Sequence, residues 1–175
     1  HTVERRADVV NTLADEAESE TYGYIGFSMG GRTGLELAAS TPKRLSMLAI
    51  GGMHLLPATA NADRFIRHTK ILRSGRAKSV EKPDGDRPGN DPLALAASHE
   101  ALLWWKGVDG RLDSLNAPTL LFCGEEDAHF PNAEESSRHY GFEFAGLPNT
   151  DHNSTFFSSE IAVNSVTNFV AKHLK

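Results

Sequence analysis

The sequence predicts an α/β fold, a parallel sheet of about four strands flanked by helices, and three observations carry that prediction. Apolar segments of strand length recur at 22–27, 45–50, 118–124 and 142–147. Two of them, Leu45-Ser46-Met47-Leu48-Ala49-Ile50 and Thr119-Leu120-Leu121-Phe122-Cys123, are nearly continuous rather than alternating, as strands covered on both faces are. Helical patterns fall between the segments, and strand–helix alternation with right-handed crossovers makes the sheet parallel.

Each element has its own signal. The chain begins at His1 and enters a helical pattern at once, over 3–18, with Val3, Val9, Val10, Leu13 and Ala14 or Ala17 as its apolar stripe. A natural start is therefore expected to lie further upstream. Tyr22–Phe27 reads as a buried strand and Met29–Ser40 as a helix that Thr41-Pro42 stops. The second strand, 45–50, is closed by Gly51-Gly52. A long excursion follows from 53 to 116, with helical patterns at 61–73 and 92–105. The Gly-, Pro- and charge-rich stretch between them, 74–91, is expected to be the most mobile segment. Strand 118–124, helix 133–140, strand 142–147 and an amphipathic helix over 160–174 complete a single domain spanning 1–175.

Composition excludes several classes of function. With 39% apolar residues and a mean hydropathy of -0.37, the chain can build one core and is too polar for a membrane protein. No apolar run approaches the roughly 18 residues that span a bilayer, and the first residues hold no signal-peptide core. A net charge of -5 without a basic block leaves no electrostatic footprint for nucleic acid. The single cysteine, Cys123, lies in an apolar strand and reads as a buried bystander, which favours a reducing, cytoplasmic compartment. No cofactor motif is present, so none is expected; Gly30-Gly31 lacks both the G-x-G-x-x-G spacing and the lysine of a phosphate loop.

The segment richest in chemistry is Gly26-Phe27-Ser28-Met29-Gly30-Gly31, a G-x-S-x-G pentapeptide between a strand and a helix. Glycines at 26 and 30 would let the backbone turn sharply and lift the Ser28 hydroxyl above the sheet edge. A serine hydroxyl is a weak nucleophile until a base takes its proton, and that base works best when a carboxylate fixes its tautomer.

With Ala117-Pro118-Thr119-Leu120-Leu121-Phe122-Cys123-Gly124-Glu125-Glu126-Asp127 and Leu147-Pro148-Asn149-Thr150-Asp151-His152-Asn153, this motif resembles the α/β-hydrolase superfamily in its serine esterase, lipase and acyl-hydrolase branches. The three motifs stand in that family's order of serine, acid and histidine, and the resemblance covers nearly the whole chain. It implies Ser28 as nucleophile, Asp127 as acid, His152 as base and the Met29 backbone N–H as an oxyanion donor at a helix start. It also implies a truncated fold: the family's early strands are absent, and with them the loop that holds the second oxyanion donor. Glu125 and Glu126 compete with Asp127, and Asp109 and Asp113 less strongly. His54, His68, His99, His129 and His139 compete with His152. His129, two residues from Asp127, could pass for a metal ligand, but no second pair at ligand spacing accompanies it and no metal site is expected.

In the family the excursion 53–116 occupies the position of a helical cap over the serine, where Leu93, Leu95, Leu102, Leu103, Trp104 and Trp105 are candidates for an acyl pocket. Their helical spacing reads more simply as core packing. The resemblance implies a serine hydrolase for small or medium carboxylic esters, with thioesters and lactones as further substrates. A non-catalytic binding or assembly module, or an inactive remnant, is the alternative. The missing neighbour of strand 22–27 would leave an open edge, which predicts a homodimer there or a piece of a longer polypeptide.

Overall fold

The computed structural model describes residues 2–57, 62–74 and 91–173, so most of the stretch for which mobility is expected, 75–90, lies outside the described residues. The elements run α1 (Val3–Glu16), β1 (Tyr22–Phe27), α2 (Met29–Ser40), a 3-10 turn (Pro42–Arg44), β2 (Leu45–Gly51), α3 (Ala62–Arg73), α4 (Pro92–Leu102), β3 (Thr119–Gly124), α5 (Phe130–Tyr140), β4 (Glu143–Leu147), α6 (His152–Phe157) and α7 (Glu160–His173). Local chemistry sets several boundaries. Thr2 caps α1 by accepting from the Arg5 N–H at 3.2 Å. Asp91 caps α4 ahead of Pro92, and α5 ends at Gly141 in the left-handed region, φ 69°.

The sheet has four parallel strands in the order β1-β2-β3-β4. Phe27 lies opposite Gly51, Gly51 opposite Phe122 and Gly124 opposite Leu147, which brings the carboxyl ends of all four strands to one edge. Open parallel sheets place their ligands there.

Alternation along the strands divides the core in two. Leu48, Ile50 and Leu121 point to one face, where they join Val3, Ala7, Leu35 and Leu37 of α1 and α2. Leu102, Trp105, Val108 and Leu112, from the end of α4 and the loop after it, belong to the same cluster. Met47, Ala49, Leu120 and Phe122 point to the other face, where Ala162 and Phe169 of α7 cover them. Fully burying a side chain of this kind stabilises the fold by about 1.5–3 kcal/mol. The second face is covered only in part. Ile25, opposite Ala49 on β1, is 54% exposed, as are Phe156 and Phe157 of α6 and Ile161 and Val163 of α7 in comparable or greater degree.

Three expectations need correction. The α1 stripe is narrower than its apolar pattern: Val3 and Ala7 are buried and Val10 packs against the core, whereas Val9 and Leu13 face solvent. The helix expected over 92–105 ends at Leu102 and continues as tight turns to Trp105. His152, which the family resemblance puts in the loop after the last strand, stands as the first residue of a short helix.

Glu36, buried in the middle of α2, ties the excursion to the sheet. It accepts from the Trp105 indole at 3.0 Å and pairs with the Arg111 guanidinium at 2.9 Å. A buried carboxylate is tolerated only when its oxygens are satisfied in this way.

Candidate active site

Ser28 sits at the corner between β1 and α2 with φ 54° and ψ -110°, a left-handed conformation that costs a non-glycine residue about 1–3 kcal/mol. The corner is held from both sides. The Ser28 N–H donates to the Gly51 carbonyl at 2.9 Å, and the Ser28 carbonyl accepts from the Arg32 N–H at 3.1 Å. Gly26 is required by space, since a Cβ there would lie 2.5 Å from the Gly30 carbonyl oxygen. Gly30 is not: the only neighbour a Cβ would meet is the Tyr24 hydroxyl at 3.8 Å, so the turn itself does not account for the second glycine of the motif.

Asp127 lies in the turn after β3 and is buried. Its N–H donates to the Gly124 carbonyl, and its Oδ1 accepts from the His129 N–H at 2.9 Å. This turn is stitched to the one after β4. The Glu125 N–H donates to the Leu147 carbonyl and the Glu126 N–H to the Thr150 carbonyl, both at 3.0 Å. A Cβ on Gly124 would lie 2.1 Å from the Thr150 oxygen, so the two loops meet backbone to backbone. That contact fixes where α6 begins. Asp151 and Ser154 form a reciprocal capping box, and His152 is the first residue inside it.

The fold therefore brings three distant residues together. His152 Nδ1 is 2.6 Å from Asp127 Oδ2, and His152 Nε2 is 2.9 Å from Ser28 Oγ. A carboxylate at Nδ1 assigns the ring proton to that nitrogen and leaves Nε2 to accept from the serine hydroxyl. The Phe27 ring, centred 4.9 Å from the imidazole, and the bare backbone of Gly52, where a Cβ would lie 2.9 Å from His152 Cε1, hold the ring in place. Burial pushes the Asp127 carboxyl upward, but the hydrogen bonds from His152 and the His129 N–H outweigh it and keep the group below the ordinary carboxylate range.

The competing residues lie elsewhere or differ in environment. Glu125, Glu126, Asp109 and Asp113 are exposed, and Asp109 accepts from the Tyr140 hydroxyl at 2.9 Å. His68 and His99 face each other between α3 and α4, and His139 packs on Tyr140. Of the apolar-pocket candidates, Leu102 and Trp105 are core residues, while Leu93 and Trp104 are exposed. Cys123 is buried, and desolvation beside Asp127 raises its thiol far above its usual range.

Two of the competing histidines, His54 and His129, lie beside the site, a placement that nothing in the local sequence pattern gives. The His54 ring is centred 5.0 Å from that of His129, and the His129 ring 5.6 Å from that of His152. Burial lowers His54 and His129, the latter to about 4, with the positive charge of Arg32 adding to the effect and Asp127 opposing it. Arg32 itself is buried one turn after Ser28, and desolvation with Arg6 nearby lowers it to about 10.

Solved structures share this arrangement of strands and helices. A thermophilic esterase from Thermogutta terrifontis superposes with a TM-score of 0.82 at 20% identity, over 99% of this chain and 74% of its own. The fold is that of the α/β-hydrolases. An enol-lactonase from Burkholderia xenovorans LB400 has the same α/β-hydrolase frame, with a TM-score of 0.72 at 19% identity over 98% of this chain and 74% of its own. In sequence, a protein of Yersinia enterocolitica named as the carbamate hydrolase RutD is 27% identical over 150 residues, covering 71% of this chain and 54% of the relative. The chain thus spans about half the length of the curated relative it matches. No family model matches it. Among the described residues, no helix is long and apolar enough to cross a membrane.

Proposed function

We propose that the chain carries the catalytic residues of a serine hydrolase acting on small or medium carboxylic esters. The observation that supports this most is the continuous relay from Asp127 Oδ2 through His152 to Ser28 Oγ, with separations of 2.6 and 2.9 Å. In this reading His152 Nε2 removes the Ser28 proton as the hydroxyl oxygen attacks the ester carbonyl. The oxyanion so formed faces the Met29 N–H at the start of α2, whose first amides have no intrahelical partner. Collapse of the tetrahedral adduct expels the alcohol, which takes the proton from His152. Water then repeats the sequence on the acyl-enzyme. Asp127 orients His152 and stabilises its charged form. Carbamates and lactones, acted on by proteins this chain resembles, are chemically related substrates.

β1 is an edge strand, paired only with β2 among the described residues, so a second oxyanion donor from beyond that edge would have to come from another polypeptide segment. Without it, turnover would fall by about 10²–10³-fold. The same edge, with Ile25 exposed beside it, is proposed as the contact of a homodimer. It also favours the second reading, a hydrolase fold kept for binding or assembly.

The deciding experiment is hydrolysis of p-nitrophenyl acetate and butyrate by the chain and by Ser28→Ala, with solution mass measured on the same samples. The serine-hydrolase reading expects the rate above buffer to disappear in the variant, a loss of roughly 10³-fold or more, and a fluorophosphonate probe to label only the parent. Equal rates and no labelling would leave the binding reading.

A further inference from the structure

Apart from the relay itself, the densest group of ligating side chains is the one that wraps the Asp127 end of it. Asp127, His129 and His152 each offer one ligand atom, and these atoms lie within 4.8 Å of one another. They come from two segments: Asp127 and His129 follow β3, and His152 opens α6 after β4. Backbone hydrogen bonds from Glu125 and Glu126 to Leu147 and Thr150, and the close approach of Gly124 to Thr150, hold the two segments together. His129 Nδ1 adds a second, independent sign. It is buried and has no hydrogen-bond partner among the described residues, a state that normally costs a polar atom about 1–3 kcal/mol and calls for an explanation. His54, which packs its ring against His129, is not a third imidazole ligand through Nδ1, because that atom already accepts from the Leu56 N–H at 3.2 Å.

We propose that Asp127, His129 and His152 form a binding site for a divalent transition ion of the zinc type, and that occupying it turns the serine centre off. Two imidazoles and one carboxylate are a donor set that suits zinc, with a water completing four-coordination. The consequence for the relay follows from the tautomer. In the ion-free site the proton sits on His152 Nδ1, toward Asp127, and Nε2 accepts from Ser28. An ion bound at Nδ1 takes that lone pair, and the proton moves to Nε2 with no net change in the imidazole's protons. Nε2 then carries a hydrogen and cannot receive the one on Ser28 Oγ. Accommodating the ion requires the present 2.6 Å Nδ1–Oδ2 separation to open, because the two atoms would each bind it at about 2.0–2.1 Å. A small shift of the His152 ring on the face not packed by Phe27 and Gly52, its side chain being 33% exposed, would supply that opening.

The test is direct titration of the chelator-stripped chain with zinc against a chromophoric competitor, beside His129→Asn and His68→Asn, with circular dichroism to show that each variant is folded. His68→Asn controls for the exposed His68–His99 pair, where two imidazoles meet away from the site. One ion per chain, weakened by about tenfold or more in His129→Asn and unchanged in His68→Asn, is the expected result; outer-shell partners alone are worth 10–100-fold, and a ligand is worth no less. Unchanged affinity in His129→Asn, loss in His68→Asn, or no binding by the parent would overturn the site. Cobalt gives a second readout, since its visible spectrum should change when the His129 nitrogen is lost. Zinc should also abolish ester hydrolysis reversibly, with recovery on adding EDTA. That arm alone rests on the serine-hydrolase reading: a chain that binds zinc through His129 but hydrolyses nothing keeps the site and loses that reading. Hydrolysis unaffected at saturating zinc would overturn the switch.

Discussion

The two faces of the sheet are built from the same strands and have different fates. Leu48 and Ala49 are neighbours on β2, and one points under α1 and α2 while the other points toward α7. The first face is closed from β1 to β3, with Leu35, Leu37, Leu48, Ile50 and Leu121 all fully buried. On the second, α7 covers β2, β3 and β4, and the β1 end stays open around Ile25, while Phe156, which packs on Phe27, and Phe157, 80% exposed, also face solvent. The buried cluster on the closed face is the larger of the two, whereas the open face leaves Ile25 in solvent. Ser28, His152 and Asp127 meet at the strand ends between the two faces.

The sharpest way to break this comparison is to remove matched side chains from the two faces. Leu48→Ala should lower stability by about 3 kcal/mol, through lost burial and the cavity left behind, read as a shift of the denaturant midpoint. Glu36→Gln, on the same face, should cost roughly 2 kcal/mol, because Trp105 and Arg111 both direct donors at a carboxylate that would no longer be charged. It should also loosen the segment after α4, seen as faster amide exchange at Trp105 and Val108. Ile25→Lys, on the open face, should leave the denaturation midpoint of the monomer within about 0.5 kcal/mol of the parent. The same change should abolish a homodimer if one forms through β1, measured as mass by light scattering. A large loss of monomer stability in Ile25→Lys would mean that the open face is closed in solution by other means.

Much of the frame was readable from local pattern. The four apolar runs are strands within a residue or two of their expected bounds, because continuous burial of a parallel strand writes itself into consecutive residues. The sharp turn at Ser28 was readable because its strand, its turn and its helix are contiguous. Which of Glu125, Glu126 and Asp127 would meet His152 was not readable from local pattern, since only the turn that Asp127 closes buries it. The α1 stripe misled because Val9 and Leu13 look like core residues, while the small Ala7, buried with Val3, carries a weak signal. The start of α6 was encoded in Asp151-x-x-Ser154, a capping box that periodicity alone overlooks.

By itself the sequence determined what depends on neighbours along the chain: four strands, the helices between them, a nucleophile-type turn at Ser28 and the absence of a long basic or membrane-length segment. Tertiary structure decided what depends on separations of many residues. It placed His152 against both Asp127 and Ser28, drew His54 and His129 into a row beside them, put Trp105 on Glu36 and left one face of β1 open. The physical reason is one of range. Backbone propensity and hydrophobic period act over a few residues, whereas the meeting of two loops is settled only when the strands that carry them have paired in register.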